Sequence, residues 1–227
     1  MKKAKEFFDK YAKEYEEQDR YQYLFYRWLV DNIIREVPDR KCRVADLGAG
    51  SGGLAIRLAE RKPKAQVTCV DVSKGMMKVA MGKVRVAGIK NMKFKASPIE
   101  GFGGRADYVV SNLAFHHVKN KAAVISRIRK SLREGGRLVI GDWFKPSSEY
   151  KEKVWRLRKK NPKRAREFDR SWAQALKGMS KEYQEKHPKE YPICPLELKK
   201  IMDGFGFRKT RVLVPPLANF AIVVGEK

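Results

Sequence analysis

Apolar and polar positions alternate along the chain with two recurring periods. Short apolar runs with period 2 predict strands at 42–47, 66–70, 92–95, 106–111 and 137–142. Apolar residues spaced three and four apart predict helices between them, at 54–61, 74–87 and 122–132. Strands that alternate with helices of this length are typical of βαβ units, so we expect a doubly wound α/β domain with a mostly parallel sheet.

Both ends of the chain depart from this alternation. Residues 5–35 predict one or two helices rich in aromatic side chains, and residues 143–192 predict basic helices, one of them opened by Asn161 and Pro162 as N-cap and first residue. After a helix at 195–204, two closely spaced strands follow. They span 207–214 and 219–225, and the four residues between them begin with two prolines. So short a connection requires antiparallel pairing, which predicts a seven-stranded sheet ending in an antiparallel pair.

Composition narrows the class of protein. The chain has 227 residues, 43% of them hydrophobic, which is enough for one sizeable core and excludes disorder as the default. The three cysteines, Cys42, Cys69 and Cys194, form no CxxC pair, so neither a disulfide framework nor a zinc site is indicated. The chain contains no apolar run of about 18 residues and no leader-like start, so we expect a cytoplasmic protein.

The charge is strongly positive. Lys and Arg number 51 against 26 Asp and Glu, a net charge of +25, and the densest stretch is 151–170. Such a balance attracts nucleic acid, an anionic membrane surface or an acidic substrate. A solvated basic surface with no single partner is the alternative interpretation.

A glycine-rich turn between the first strand and the next helix is the main chemical signal. Residues 48–53 fit G-x-G-x-x-G, which lets the backbone approach a nucleoside cofactor. Asp71, at the end of the second strand, can accept both ribose hydroxyls. Asp46, two residues before Gly48, would repel a pyrophosphate but hold an ammonium or sulfonium, unless it merely caps the loop. A ribose, no phosphate and two positive centres together describe S-adenosylmethionine.

These segments resemble the class I S-adenosylmethionine-dependent methyltransferases, most closely the ubiquinone/menaquinone-type and related small-molecule enzymes. The matching stretches are 44–52, 70–76, 106–118 and 132–138. The resemblance implies a Rossmann-like fold over a single domain, 1–227, with S-adenosylhomocysteine as product. The predicted cofactor-binding residues are Tyr11, Tyr15, Asp46, Gly48, Ala49, Gly50, Ser51, Asp71, Val72, Met76, Ser97, Pro98, Ile99, Asn112 and Leu113.

The opening helix and the residues after the third strand are the two least regular parts of the predicted cofactor site. The resemblance implies that the opening helix closes the pocket, so Tyr11 and Tyr15 are candidates for contact with the methionine end through cation–π attraction, or simply pack the helix onto the sheet. The family's usual Gly-Asp-Ala after the third strand is replaced by residues 96–99. Ser97 retains a hydroxyl, but Pro98 has no N–H to offer the adenine ring, so we expect altered adenine recognition.

Methyl transfer is an in-line displacement that depends mainly on positioning. If a base is used, His117 is the first candidate and His116 the second, because both follow the fourth strand at the carboxyl edge of the sheet. Asp142 is a weaker candidate, and structural roles for both histidines remain open. Related quinone enzymes bind a metal with two Glu and a His here, but Leu113 and His116 occupy the Glu positions, so no metal is expected.

The acceptor has two enzymatic interpretations. In the first, a small-molecule, lipid or quinone-like acceptor lies under lid helices from 1–35 and a basic insertion, 143–192, while 151–170 rests on an anionic membrane. In the second, 151–170 binds RNA or another nucleic acid as substrate. Residues 111–114 lack the Pro-Pro-aromatic pattern of base-modifying enzymes. A non-catalytic nucleotide-binding or oxidoreductase module is a third interpretation, disfavoured by Asp46, and the oligomeric state is not predicted.

Overall fold

The computed structural model describes residues 2–12, 22–177 and 181–227. Its helices are α1 (Lys2–Lys10), α2 (Leu24–Arg35), α3 (Gly53–Arg61), α4 (Lys74–Val86), α5 (Lys121–Ser131), α6 (Ser148–Lys160), α7 (Pro162–Lys177), α8 (Lys181–Lys186) and α9 (Pro195–Gly204). Its strands are β1 (Cys42–Leu47), β2 (Ala65–Asp71), β3 (Met92–Ala96), β4 (Ala106–Asn112), β5 (Leu132–Trp143), β6 (Arg208–Leu213) and β7 (Phe220–Glu226). Short 3₁₀ helices follow β3 and β4, at Ile99–Gly101 and Phe115–His117.

The strands form one seven-stranded sheet in the order β3-β2-β1-β4-β5-β7-β6. Strands β1 to β5 pair in parallel, and β7 lies antiparallel between β5 and β6. This confirms the predicted doubly wound α/β fold and its terminal antiparallel pair. The chain order reverses between β1 and β4, and the carboxyl ends of these strands open the crevice in which such sheets bind ligands.

Each face of the sheet has its own hydrophobic core. Because strand side chains alternate between faces, Val44 packs with the first cluster and Ala45 with the second. Helices α2 and α3 cover the first face, and α5 and α9 cover the second. In α2, Leu29 and Ile33 are fully buried, as the helical period of its apolar positions requires.

The basic insertion divides between the two cores. The Asn161 side chain accepts the Arg164 N–H at 3.1 Å, which confirms the predicted start of α7. Helix α7 packs on α2, where the Trp172 and Phe25 rings lie 5.2 Å apart, whereas Tyr150 of α6 is buried in the second core. In the described part of the chain, every helix is too short or too polar to cross a bilayer.

Most boundaries differ from the prediction by one residue, and the start of β5 differs by five. Strand β5 begins at Leu132 instead of 137, and the expected turn at 134–136 lies within it as an irregularity in the ladder with β4. Gly135 has φ +71° and donates its N–H to the Lys227 carbonyl at 3.1 Å. The glycines bend the strand without ending it, because the distant residue Lys227 provides a hydrogen-bond partner that local sequence patterns do not reveal.

Candidate functional site

The glycine loop joins β1 to α3 at the carboxyl edge of the sheet. Gly48 has φ +72°, its N–H donates to the Val70 carbonyl at 2.8 Å, and a Cβ there would lie 2.3 Å from that of Ala114. Only glycine satisfies that backbone angle and that close approach. Gly50 also has a positive φ, but a Cβ on it would meet no atom within 4 Å, so its backbone faces open space.

Asp71 ends β2 directly opposite this loop. One carboxylate oxygen accepts the Gly50 N–H and the other accepts the Ser73 N–H, both at 2.8 Å. Burial raises the pKa of Asp71, although these hydrogen bonds oppose the shift. The loop and the start of α4 are therefore fixed around one carboxylate that also lines the cavity described below.

Helix α1 is attached to the same place through Asp9. The Asp9 carboxylate accepts the Ser73 hydroxyl at 2.6 Å and the Gly75 N–H at 2.8 Å, at the amino end of α4. Burial opposes ionisation, but hydrogen bonds from Lys5, Ser73 and Gly75 prevail and lower the pKa of Asp9 to about 2. The amino-terminal helix is thus held across the site by an ionised group.

Asp46 lies beneath the loop and is only 1% exposed. Neither of its carboxylate oxygens has a hydrogen-bond partner of normal geometry within the described residues. Burial, followed by the charge of Asp71, raises the pKa of Asp46 to about 8, and the Ala55 backbone offsets this only in part. A buried carboxyl without a partner is unfavourable in the free protein, and a cation bound nearby would relieve it.

A cavity of about 710 Å³ opens above these groups. Predicted site residues that line it are Gly48, Gly50, Asp71, Val72, Met76, Pro98, Ile99, Leu113 and His117. The cavity lining does not include the other described candidates, Tyr11, Asp46, Ala49, Ser51, Ser97, Asn112 and His116. Tyr15 lies outside the described residues.

The aromatic side chain that α1 contributes to the cavity is Phe8. Tyr11 is buried, with its ring 4.6 Å from that of Phe7. From the insertion at 143–192, the described residues that line the cavity all belong to the segment 186–191. Helix α1 and this segment therefore form the cover of the site.

The two predicted histidines have different environments. His116 Nδ1 lies 2.6 Å from Asp142 Oδ1, and its backbone N–H donates to Oδ2 at 2.7 Å. Burial opposes protonation, yet the Asp142 charge raises the pKa of His116. His117 lines the cavity, and burial, with neighbouring His116 and His187, lowers its pKa to about 3. His117 is therefore neutral at physiological pH.

The structure adds a third histidine that sequence reasoning missed. The ring of His187 lies 5.3 Å from His117 and 5.5 Å from Phe7, and its Nδ1 is 3.1 Å from Glu190. Glu190 also lies 3.8 Å from His116 Nε2. All three histidines of the chain meet at the cover of the cavity. No local pattern indicates this, because His187 lies 70 positions from His117 in the sequence.

Charged residues at the rim were also missed. Glu100 lines the cavity next to Pro98, so a carboxylate is available where the usual acidic residue of the third element is absent. Lys186 and Lys189 line it on the side of the cover. Among the residues that the structure describes, no group of three or more His, Cys, Asp and Glu is placed to hold a metal ion.

The donor set fits a nucleoside that carries positive charge and no phosphate. Asp71 offers carboxylate oxygens to a ribose, and Gly50 offers an open backbone. Asp46 lies buried under the loop, where a bound cation would favour its ionised form. A pyrophosphate would meet two carboxyl groups at this point, which is electrostatically unfavourable. S-adenosylmethionine meets these requirements.

Comparison with known proteins agrees with this chemistry. A model of the methyltransferase domain family matches residues 38–191. An uncharacterized methyltransferase of Staphylococcus carnosus is 30% identical over 155 residues, covering 65% of this chain and 71% of that protein. Trans-aconitate 2-methyltransferase of Deinococcus radiodurans is 30% identical over 46% of this chain and 39% of its own length. Ribosomal RNA small subunit methyltransferase C of Klebsiella pneumoniae is 30% identical over 48% of this chain and 34% of its own length.

Solved structures share the fold at lower identity. A SAM-dependent methyltransferase from Aquifex aeolicus superposes with a TM-score of 0.63 at 17% identity, covering 95% of this chain and 96% of that one. Magnesium protoporphyrin IX methyltransferase from Synechocystis with bound SAH superposes with a TM-score of 0.62 at 19% identity, covering 90% of this chain and 84% of that one. The matched region is less than half of the trans-aconitate and ribosomal RNA enzymes named above.

Proposed function

Because this chain belongs to the methyltransferase domain family and is an S-adenosylmethionine-dependent methyltransferase, we propose that its acceptor is a small molecule with an ionised oxygen, most simply a carboxylate. The observation that carries the proposal is the covered cavity of about 710 Å³, in which neutral His117 and the two lysines of the cover, Lys186 and Lys189, face one space. That volume is typical of small-molecule sites.

The cofactor supplies an electrophilic methyl group on a sulfonium. Asp71 would accept the ribose hydroxyls, the Gly48–Gly50 backbone would approach the nucleoside, and Glu100 would accept the adenine amino group. Asp46 and Asp71 would stabilise the positive charge from beneath the loop. Phe8 and Met76 would pack on the apolar parts and exclude water.

The acceptor class follows from His117. A group with a pKa of about 3 is a weak base at neutral pH, since general bases work best with a pKa near the operating pH. An acceptor oxygen that is already ionised does not need one, and carboxylic acids ionise near pH 4. Lys186 and Lys189 favour its entry, and His117 donates a ring N–H hydrogen bond that orients it.

The segment 151–170 does not contribute to the described lining of this cavity. It forms most of α6 and the start of α7, which pack on the two cores. Because 151–170 lies outside the described lining, we rank an RNA acceptor below a small acidic acceptor. We also rank a lipid or quinone below the small acidic acceptor, because Lys186 and Lys189 line the cavity. The cytoplasmic location remains a prediction.

The test uses methyl-labelled S-adenosylmethionine with a cell extract separated into RNA, protein, lipid and small-molecule fractions. We expect label in small acidic compounds and release of labelled methanol in mild alkali, because methyl esters hydrolyse there. Label in RNA, or alkali-stable label in the lipid fraction, would refute the acidic acceptor.

A variant tests the role of His117. His117→Ala should lower the rate of label incorporation about tenfold, which is the effect expected from the loss of one hydrogen bond. The affinity for S-adenosylhomocysteine should change less than about twofold. With saturating S-adenosylmethionine, which removes the effect of Asp46 on cofactor affinity, the wild-type rate should be flat from pH 6 to 8 because His117 does not titrate there. His117→Gln, which retains hydrogen-bonding groups, is the matched control. A bell-shaped profile centred near pH 7 would instead indicate a general base.

A further inference from the structure

A second concave surface lies at the amino edge of the parallel sheet, opposite the cofactor site. It is a cleft of about 510 Å³ between the starts of β1, β2, β4 and β5. Its cationic lining residues are Lys41, Arg43, Lys64, Lys90 and Arg133. Asp107 is the carboxylate among the described residues that line it.

The topology extends this charge into a band. The loops that enter the parallel strands meet at one edge, and each of β1 to β5 begins beside Lys or Arg. We define the amino-edge band as Arg40, Lys41, Arg43, Lys62, Lys64, Lys90, Arg105 and Arg133. All are exposed except Lys62, which is half-buried. Five strands spaced about 4.8 Å apart give the band a length of about 20 Å.

Few carboxylates neutralise the band. Asp107 accepts the Arg43 N–H at 2.7 Å and lies 3.5 Å from Arg133. Glu36 pairs instead with Arg137 and Arg211, and Glu134 with Lys227. Asp39 lies in the loop that enters β1.

Lys41, Lys64 and Lys90 have no ion-pair partner within the described residues. Like charges held this close repel one another, and an anion that binds across them would relieve the repulsion. The unneutralised part of the band therefore faces the cleft, where a ligand can reach it.

From this geometry we propose that the amino-edge band binds the phosphate backbone of single-stranded RNA without sequence preference. A band of about 20 Å spans several successive phosphates, more than one small anion occupies. The described lining includes the amides of Gln66 and Asn91 but no aromatic or long aliphatic side chain, whereas membrane-surface helices insert such groups. These features favour a nucleic acid backbone over a lipid surface.

The proposed contact is separate from methyl transfer. The six residues of β1 separate the two edges by about 17 Å at 3.3 Å per residue. RNA held at the amino edge would localise the enzyme and leave the acceptor cavity accessible. The inference therefore does not depend on the proposed acceptor.

The test measures fluorescence anisotropy of labelled 12-nucleotide poly(U) and poly(A) RNA with the full chain and saturating S-adenosylhomocysteine, over a salt series. We expect similar affinity for both RNAs. The double variant Lys64→Glu with Lys90→Glu should weaken binding at least about tenfold. The slope of the logarithm of the binding constant against the logarithm of salt concentration should decrease in magnitude by about 1.4, which corresponds to the loss of two phosphate contacts on a single strand. Lys151→Glu with Lys160→Glu, the same charge change on α6, should weaken it less than about threefold.

Several outcomes would overturn the proposal. They are no RNA binding by the wild type, unchanged binding by the Lys64/Lys90 variant, equal losses in both variants, or binding of phosphatidylserine vesicles in place of RNA. Calorimetry with S-adenosylhomocysteine confirms that each variant is folded. An intact cofactor site with lost RNA binding separates this result from a failure of the proposed acceptor.

Discussion

The two edges of the parallel sheet place opposite charges in opposite environments. At the carboxyl edge, Asp46 is 1% exposed and the carboxylates of Asp71 and Asp9 are held by backbone N–H groups. At the amino edge, Lys64 and Lys90 are exposed beside a cleft. Buried acids lie at the cofactor cavity, whereas the exposed cations of the amino-edge band lie where the strands begin.

This difference shows which charges carry information about function. Burying a carboxyl without a partner costs free energy, so Asp46 in that position points to a ligand that compensates for it. An exposed lysine costs almost nothing by itself, and only its clustering with others is informative. The net charge of +25 is therefore a weaker guide to the reaction than two acids.

The largest expected effect is at Asp71. Asp71→Ala should weaken S-adenosylhomocysteine binding about 100-fold, because it removes hydrogen bonds of a charged group to the ligand and releases the Gly50 N–H. Isothermal titration calorimetry measures this. Asp107→Ala makes the same change at the amino edge and should leave the affinity within about twofold; equal losses would remove the distinction between the edges.

The next effect concerns stability at Asp46. Its pKa of about 8 means that the folded state retains a proton which the unfolded state releases near pH 4. The free energy of unfolding therefore falls as pH rises from about 4 to 8. Asp46→Asn does not titrate and should be more stable than wild type at pH 8 by about 2 kcal/mol or more, in urea unfolding without ligand.

Cofactor affinity should change in the opposite direction. Asp46→Asn should bind S-adenosylmethionine more weakly than wild type at pH 8, because the carboxylate charge is lost. Asp107→Asn is the matched control at the amino edge.

The stability prediction for Asp46 has its own contradicting outcome. If Asp46→Asn loses as much stability between pH 5 and 8 as the wild type does, another group accounts for the pH dependence of the free energy of unfolding.

The smallest effect is at the amino edge itself. A double-mutant cycle on Arg133→Gln and Asp107→Asn should give a coupling free energy below about 1 kcal/mol, because Arg133 is 56% exposed and water screens the pair. The measurement is urea unfolding at pH 7. A coupling several times larger would mean that the amino edge, like the carboxyl edge, contains structurally important charge pairs.

Much of the fold follows from local patterns. The order of strands and helices, the antiparallel ending and the Asn161 cap follow from period, turn length and cap chemistry, which act over a few residues. Of the predicted cofactor residues, Gly48, Gly50 and Asp71 do line the cavity. Residues at strand ends are predictable because parallel strands place their carboxyl ends at one edge.

The cover of the site was not predictable in the same way. Phe8 and Tyr11 both lie on an aromatic amino-terminal segment, and packing alone turns Phe8 to the cavity and Tyr11 to Phe7. His187 reaches His117 because Glu190 and the 186–191 segment return to the carboxyl edge. Such contacts join distant parts of the chain and leave no periodic trace in the sequence.

The amino-acid sequence by itself determined the sheet, the glycine loop and the acids that suit a cationic nucleoside, because each depends on residue type at short spacing. The tertiary structure decided which of those side chains reach the cavity, that His117 is neutral, and that scattered lysines form one amino-edge band. Burial and charge proximity depend on distances through space, and only the packed chain sets these.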